Sequence, residues 1–167
     1  MRRFAPLLLV LLAGCGSMAE ADLPDPAGPP VAANMVAGAP KLAKCRDQLA
    51  TQWLAQETRL AVLCGRERTV EIYDTSTGKR VATQPAGIGP TAMVTDGKDA
   101  TYVIDSLGEA LLVYRRTPFQ LIRRVHLVGG PYAIAFDRER WALDITLRDG
   151  VVHYKAGWRP VLLPRTK

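Results

Sequence analysis

Thr69-Val70-Glu71-Ile72-Tyr73-Asp74 runs into Thr75-Ser76-Thr77-Gly78, then into Lys79-Arg80-Val81-Ala82-Thr83, and ends at Gly87-Ile88-Gly89-Pro90. β-Branched and aromatic residues favour a pleated strand on each side of the turn. Thr77-Gly78 supplies the positive φ of a tight hairpin, and the Gly-Pro segment reads as a hinge. The pattern recurs. Val128-Gly129-Gly130-Pro131 repeats the hinge, with Pro90 and Pro131 41 residues apart. Tyr73 and Tyr114 are separated by the same interval, as are Ala92-Met93-Val94-Thr95-Asp96 and Ala133-Ile134-Ala135-Phe136-Asp137, while Tyr154 follows Tyr114 by 40. A period of 40–45 residues is the spacing of β-propeller blades.

Short β-rich runs account for the rest, with no helical period. They are Leu60–Cys64, Val70–Asp74, Arg80–Thr83, Thr91–Thr95, Thr101–Asp105 and Ala110–Tyr114. Phe119–Leu127, Tyr132–Phe136, Trp141–Thr146, Val151–Tyr154 and Trp158–Leu163 follow. Asp96-Gly97, Leu107-Gly108 and Asp149-Gly150 punctuate them. The expected fold is all-β: three four-stranded antiparallel blades, a partial propeller, over residues 45–167. Closed propellers have four to eight blades. Three would leave two end faces to be covered by a second copy, by a different protein, or by polar residues and the preceding segment folding back. On the 41-residue offset Asp144 falls where Val62 and Val103 stand, as an end-face carboxylate open to water or as a buried functional group.

The stretch from Thr69 to Pro90 resembles the YVTN-type propeller repeat, a strand into a D-T-x-T-G-K turn, a strand, then a G-x-x-P hinge. Blade two keeps Tyr102-Val103-Ile104-Asp105 and the hinge but has Arg115-Arg116-Thr117-Pro118 at the turn, and blade three departs furthest. The resemblance runs from Gln48 to Pro164. It implies a fold more than a function, since such repeats also occur in some redox proteins.

Arg2 and Arg3, the apolar run Leu7–Leu12 and Ala13-Gly14 before Cys15 are the parts of a secretory signal. The run is shorter than the roughly 20 residues a bilayer span needs. Leu12-Ala13-Gly14-Cys15 resembles the bacterial lipobox, which implies cleavage after residue 14 and a lipid-bearing Cys15. Gly16 in place of Asp makes the outer membrane the expected destination. Residues 15–44 read as a lipidated cysteine followed by a flexible tether. Gly16–Lys44 holds eight Ala, five Pro and no aromatic residue, too little to offset chain entropy by burial. Cys45 and Cys64 then remain as an even pair in an oxidising compartment, where a disulfide is expected. Two buried thiols are the alternative.

Of 167 residues 48% are hydrophobic and 23% charged, with a net charge of +6. That balance is neither disordered nor of a nucleic-acid-binding type. Three serines, Ser17, Ser76 and Ser106, lack a nucleophile-elbow setting, and two histidines, His126 and His153, lie on separate strands. Asp74, Asp96, Asp105 and Asp137 end strands, where carboxylates cap turn amides or, in some propellers, hold metals. No catalytic residue, cofactor or metal site is expected. Arg115, Arg116, Arg138, Arg140 and Asp144 are the candidate ligand or partner contacts. The arginines either protect sheet edges or attract anionic lipid, glycan or protein. The resulting expectation is a non-enzymatic envelope lipoprotein. It would be held to the bilayer through Cys15 and bind a protein partner or itself through its end blades. An anionic-ligand module and an accessory redox subunit are the alternatives.

Overall fold

The computed structural model describes residues 45–54 and 58–164; the expectations for Cys15, the signal and the tether lie outside them. Every regular element among the described residues is a strand. Blade one is β1 (Gln48–Leu54), β2 (Arg59–Cys64), β3 (Thr69–Asp74) and β4 (Arg80–Pro85). Blade two is β5 (Pro90–Thr95), β6 (Ala100–Asp105), β7 (Ala110–Arg115) and β8 (Gln120–His126). Blade three is β9 (Ala133–Asp137), β10 (Ala142–Leu147), β11 (Gly150–Lys155) and β12 (Val161–Leu162). Each is a separate antiparallel meander with its strands in chain order. The first strands, β1, β5 and β9, lie side by side, the arrangement of propeller-like blades.

Two apolar interfaces hold the stack. Ala61, Leu63, Val70 and Ile72 of blade one meet Met93, Val103, Leu112 and Tyr114 of blade two. Tyr102, Ile104, Leu111 and Val113 of blade two meet Ile134, Leu143, Ile145 and Tyr154 of blade three. Blade two is therefore covered on both faces, and β6 is buried at all six positions, which is why Tyr102-Val103-Ile104 is apolar without alternation. The repeat reaches the backbone. The amide of Ala86 donates to Arg68 O and that of Leu127 to Glu109 O, both at 2.8 Å and 41 residues apart.

The 41-residue offset fails inside blade three. Equivalent turn bonds join Thr75 N to Thr58 O, Arg116 N to Asp99 O and Ala156 N to Trp141 O. They place β10 42 residues after β6, and β11 only 40 after β7. One residue is gained at the β9–β10 turn, where Trp141 has φ 51°, and two are lost from the β10–β11 turn, now Arg148-Asp149. Strand residues alternate between faces, so a one-residue shift reverses every side chain. Asp144 thus corresponds to Tyr102 and Ala61 rather than to Val103 and Val62. It points away from blade two, while Leu143 and Ile145 turn into the interface.

Three other expectations change. β1 was absent from the expected strands because Gln48-Leu49-Ala50-Thr51-Gln52-Trp53-Leu54 is rich in helix-favouring residues; pairing with β2 along its length overrides that preference. β12 shrinks from Trp158–Leu163 to two residues, since Pro160 has no amide for a ladder. At Leu107-Gly108 the positive φ belongs to Glu109 (45°), matching Arg68 (55°) in blade one. Gly108 is required for space instead: a Cβ there would lie 2.0 Å from Asp105 Oδ2.

The end faces differ from two open apolar sheets. On the face of blade one turned from blade two, Leu60, Val62, Cys64 and Tyr73 form a buried cluster, and Glu71 beside them pairs with Arg80. Tyr73 donates to Glu71. Removal from water, reinforced by that bond, pushes the Tyr73 hydroxyl up to about 12. Burial also raises Tyr102, Tyr114 and Tyr154. A proton held more tightly in the folded chain stabilises it fully below the ordinary tyrosine value of about 10, and that stabilisation is lost as pH rises towards 12. Urea unfolding midpoints should therefore fall between about pH 10 and 12, and Tyr73→Phe should flatten part of that slope.

Candidate functional site

The four strand-end aspartates are turn anchors. Asp74 Oδ1 accepts from the amides of Ser76 (3.0 Å) and Thr77 (2.9 Å) and from both hydroxyls, and these bonds, that of the Ser76 hydroxyl first, hold its pKa down. Asp96 Oδ1 accepts from Lys98, Asp99 and Ala100 at 2.8–3.1 Å. Asp105 is fully buried and gathers groups from two separate segments. Its Oδ1 accepts from Ile88 (3.0 Å) and Gly89 (2.9 Å) of the hinge and from Gly108 (3.1 Å), with Arg124 Nη1 3.3 Å from Oδ2. This carboxylate ties the entry of blade two to the end of its second strand. Cys64 stands 41 residues before Asp105 and does the same for blade one covalently, through a disulfide to Cys45 with Cα atoms 5.4 Å apart. The expected pairing is therefore present. Glu67 lies within reach of both sulfurs, but a disulfide offers a metal no thiolate.

The outward face of blade three carries a connected ion network. Asp144 Oδ1 lies 2.7 Å from His153 Nδ1, and Asp144 Oδ2 accepts from Arg140 Nη2 at 2.8 Å. Arg140 Nε also donates to Asp137 at 2.5 Å. The Arg140 amide and guanidinium hold Asp137 below the usual carboxylate range. Asp144 and His153 face each other across the ladder, each with 28% of its side chain exposed. Their counterparts in blade two, Tyr102 and Val113, are wholly buried. No local pattern in the sequence pairs His153 with Asp144, because the two become cross-strand partners only once the short β10–β11 turn sets the register. His126 sits elsewhere, its Nδ1 3.1 Å from Glu109 O.

Strand direction gives the stack two ends, one at the hinges and one opposite. At the hinge end Arg46, Arg66, Arg68, Arg124 and Arg148 balance Asp47, Glu67, Asp105, Glu109 and Asp149. At the far end blade one supplies Arg59, Lys79 and Arg80, and blade two Lys98, Arg115 and Arg116. Blade three adds Arg138, Arg140, Lys155 and Arg159. Opposing these are Asp74, Asp96, Asp99, Asp137 and Glu139. Of the remaining described charges, Glu71 and Asp144 pair with the far-end Arg80 and Arg140, and Arg123 lies within β8. Arg115, Arg116, Arg138 and Arg140 thus come to one end, and Arg140 alone of them reaches Asp144. Lys98 packs 4.0 Å over the Trp141 ring, bringing the turns of blades two and three together there. All three tryptophans, Trp53, Trp141 and Trp158, also belong to this end.

No family model and no curated protein matches this chain. Solved structures do. A chain of the mitotic checkpoint complex aligns over 70% of this chain and 40% of its own length, at 10% identity and a TM-score of 0.57. Hydrazine synthase of Kuenenia stuttgartiensis aligns over 68% and 36%, at 17% identity and a TM-score of 0.51. The fold is propeller-like. This chain spans well under half of those chains, and at such identities the likeness concerns architecture alone.

Proposed function

We propose that this chain is a non-enzymatic interaction module of the bacterial cell envelope, anchored through an acylated Cys15, with the outer membrane as its site. Its partner is a protein that docks on the outward face of blade three. The observation that supports this reading is the Asp144–Arg140–His153 network. In it Asp144 and His153 take the places of the buried Tyr102 and Val113 of an interior blade face and, with Arg140 from the adjoining turn, present fixed donors and acceptors partly open to water. Such groups give orientation and partner choice more than raw affinity. Lipidation has its own test, since mass spectrometry of the mature N-terminus should find diacylglycerol on Cys15.

Docking is tested by placing a photo-crosslinking residue at Val151, which shares the outward face, in the full-length chain in intact cells. A discrete crosslinked protein is expected, weakened at least fivefold by Asp144→Ala and absent when the probe stands at Ile122 on β8. Equal crosslinking from both positions, or none from Val151, defeats the reading.

A further inference from the structure

We infer that the far end of the blade stack is a docking surface for an anionic lipid bilayer. Ten basic residues meet seven acidic ones there once Glu71 on Arg80 and Asp144 on Arg140 are counted, while the hinge end is balanced at five of each among the described residues. Among the described residues the excess positive charge therefore lies mainly at one end. It is also spread over the turns of all three blades, which suits an extended planar anionic surface better than a compact acidic epitope.

A second observation points the same way. Trp158 is 50% exposed beside Arg159, and after Pro160 come Val161 and Leu162 with 60% and 58% exposure. An amphipathic ring and short apolar residues next to arginines are the combination that settles at headgroup level. Each basic side chain near a negatively charged leaflet contributes roughly fivefold in partitioning, within about a Debye length of the surface. Anchoring at Cys15 and protein docking on blade three can each fail without affecting this inference, because neither supplies the far-end charge.

The test is vesicle sedimentation of the full-length chain against phosphatidylcholine alone and phosphatidylcholine containing phosphatidylglycerol. Two variants carry the same change in net charge. Arg138→Glu/Arg159→Glu alters exposed residues of the far end, and Arg46→Glu/Arg66→Glu alters exposed residues of the hinge end. Both share the N-terminal segment, so binding to neutral vesicles sets a common baseline, and matching thermal unfolding confirms that each is folded.

The expected result is extra binding to anionic vesicles that falls at least tenfold in the far-end variant and survives in the hinge-end variant. Trp158→Ala should lower binding to both vesicle types. Equal loss in the two charge variants, or no anionic increment at all, overturns the inference. Far-end-dependent retention on immobilised poly-glutamate without a lipid increment also overturns it, and assigns the surface to an acidic polypeptide.

Discussion

Asp105→Ala should destabilise the domain by about 3–5 kcal/mol, because three backbone amides lose a buried charged acceptor at roughly 1–3 kcal/mol for each group left unsatisfied. Three amides, those of Ile88, Gly89 and Gly108, lose their acceptor together, and Arg124 loses its counter-ion. Gly87 and Gly108 already lie so close to the carboxylate that neither tolerates a Cβ, so the local backbone is shaped around this one group. For a domain of this size the loss corresponds to a fall in melting temperature of about 10–15 °C. Asp105→Asn keeps an acceptor oxygen for the amides and gives up only the charge towards Arg124, so it should cost about half as much. Urea or thermal unfolding of both variants checks the pair. Equal losses would mean that the Arg124 contact, rather than the hinge amides, carries the effect.

Removal of the Cys45–Cys64 disulfide is the second large effect. The bridge closes a loop of 19 residues, for which the chain-entropy model gives roughly 3 kcal/mol. Cys45→Ser/Cys64→Ser should therefore lower stability by about that amount, with the loss concentrated in blade one. Both sulfurs are buried, Cys64 completely, so two polar hydroxyls add a desolvation cost. Cys45→Ala/Cys64→Ala separates the two contributions. Hydrogen exchange should show β1 and β2 opening first in either variant, with β6 and β7 of the central blade unchanged. Uniform acceleration through all three blades would show instead that the stack unfolds as one unit.

Much of the architecture was legible from local chemistry. The turn glycines Gly78, Gly97 and Gly150 all have positive φ, as Thr77-Gly78, Asp96-Gly97 and Asp149-Gly150 imply. The apolar strand-two residues are buried on both faces, and the strand-end aspartates cap turns. The failures share a cause. β1 was missed because its composition favours a helix and only pairing with β2 makes it a strand. Asp144 does lie on an end face reached by water, as expected, but it was matched to Val62 and Val103 instead of Ala61 and Tyr102, because a fixed 41-residue offset cannot register an insertion in one turn followed by a deletion in the next. Arg115, Arg116, Arg138 and Arg140 were named together as candidate contacts, but their shared end of the stack follows only from the topology, because turns of different blades are distant in the chain.

By itself, then, the sequence determined the repeat, its all-β character and the cysteine pair, because β-propensity, turn glycines and residue parity act within a few residues or a single period. Tertiary structure alone decided which face each side chain occupies. The two-residue Arg148-Asp149 turn set the β10–β11 register, and that register put Asp144 opposite His153 on an outward face. Common strand direction in the three blades then collected the unbalanced positive charge at one end. Strand alternation turns a one-residue shift into a reversal of inside and outside, so chemistry on a sheet face depends on pairing that no local pattern specifies.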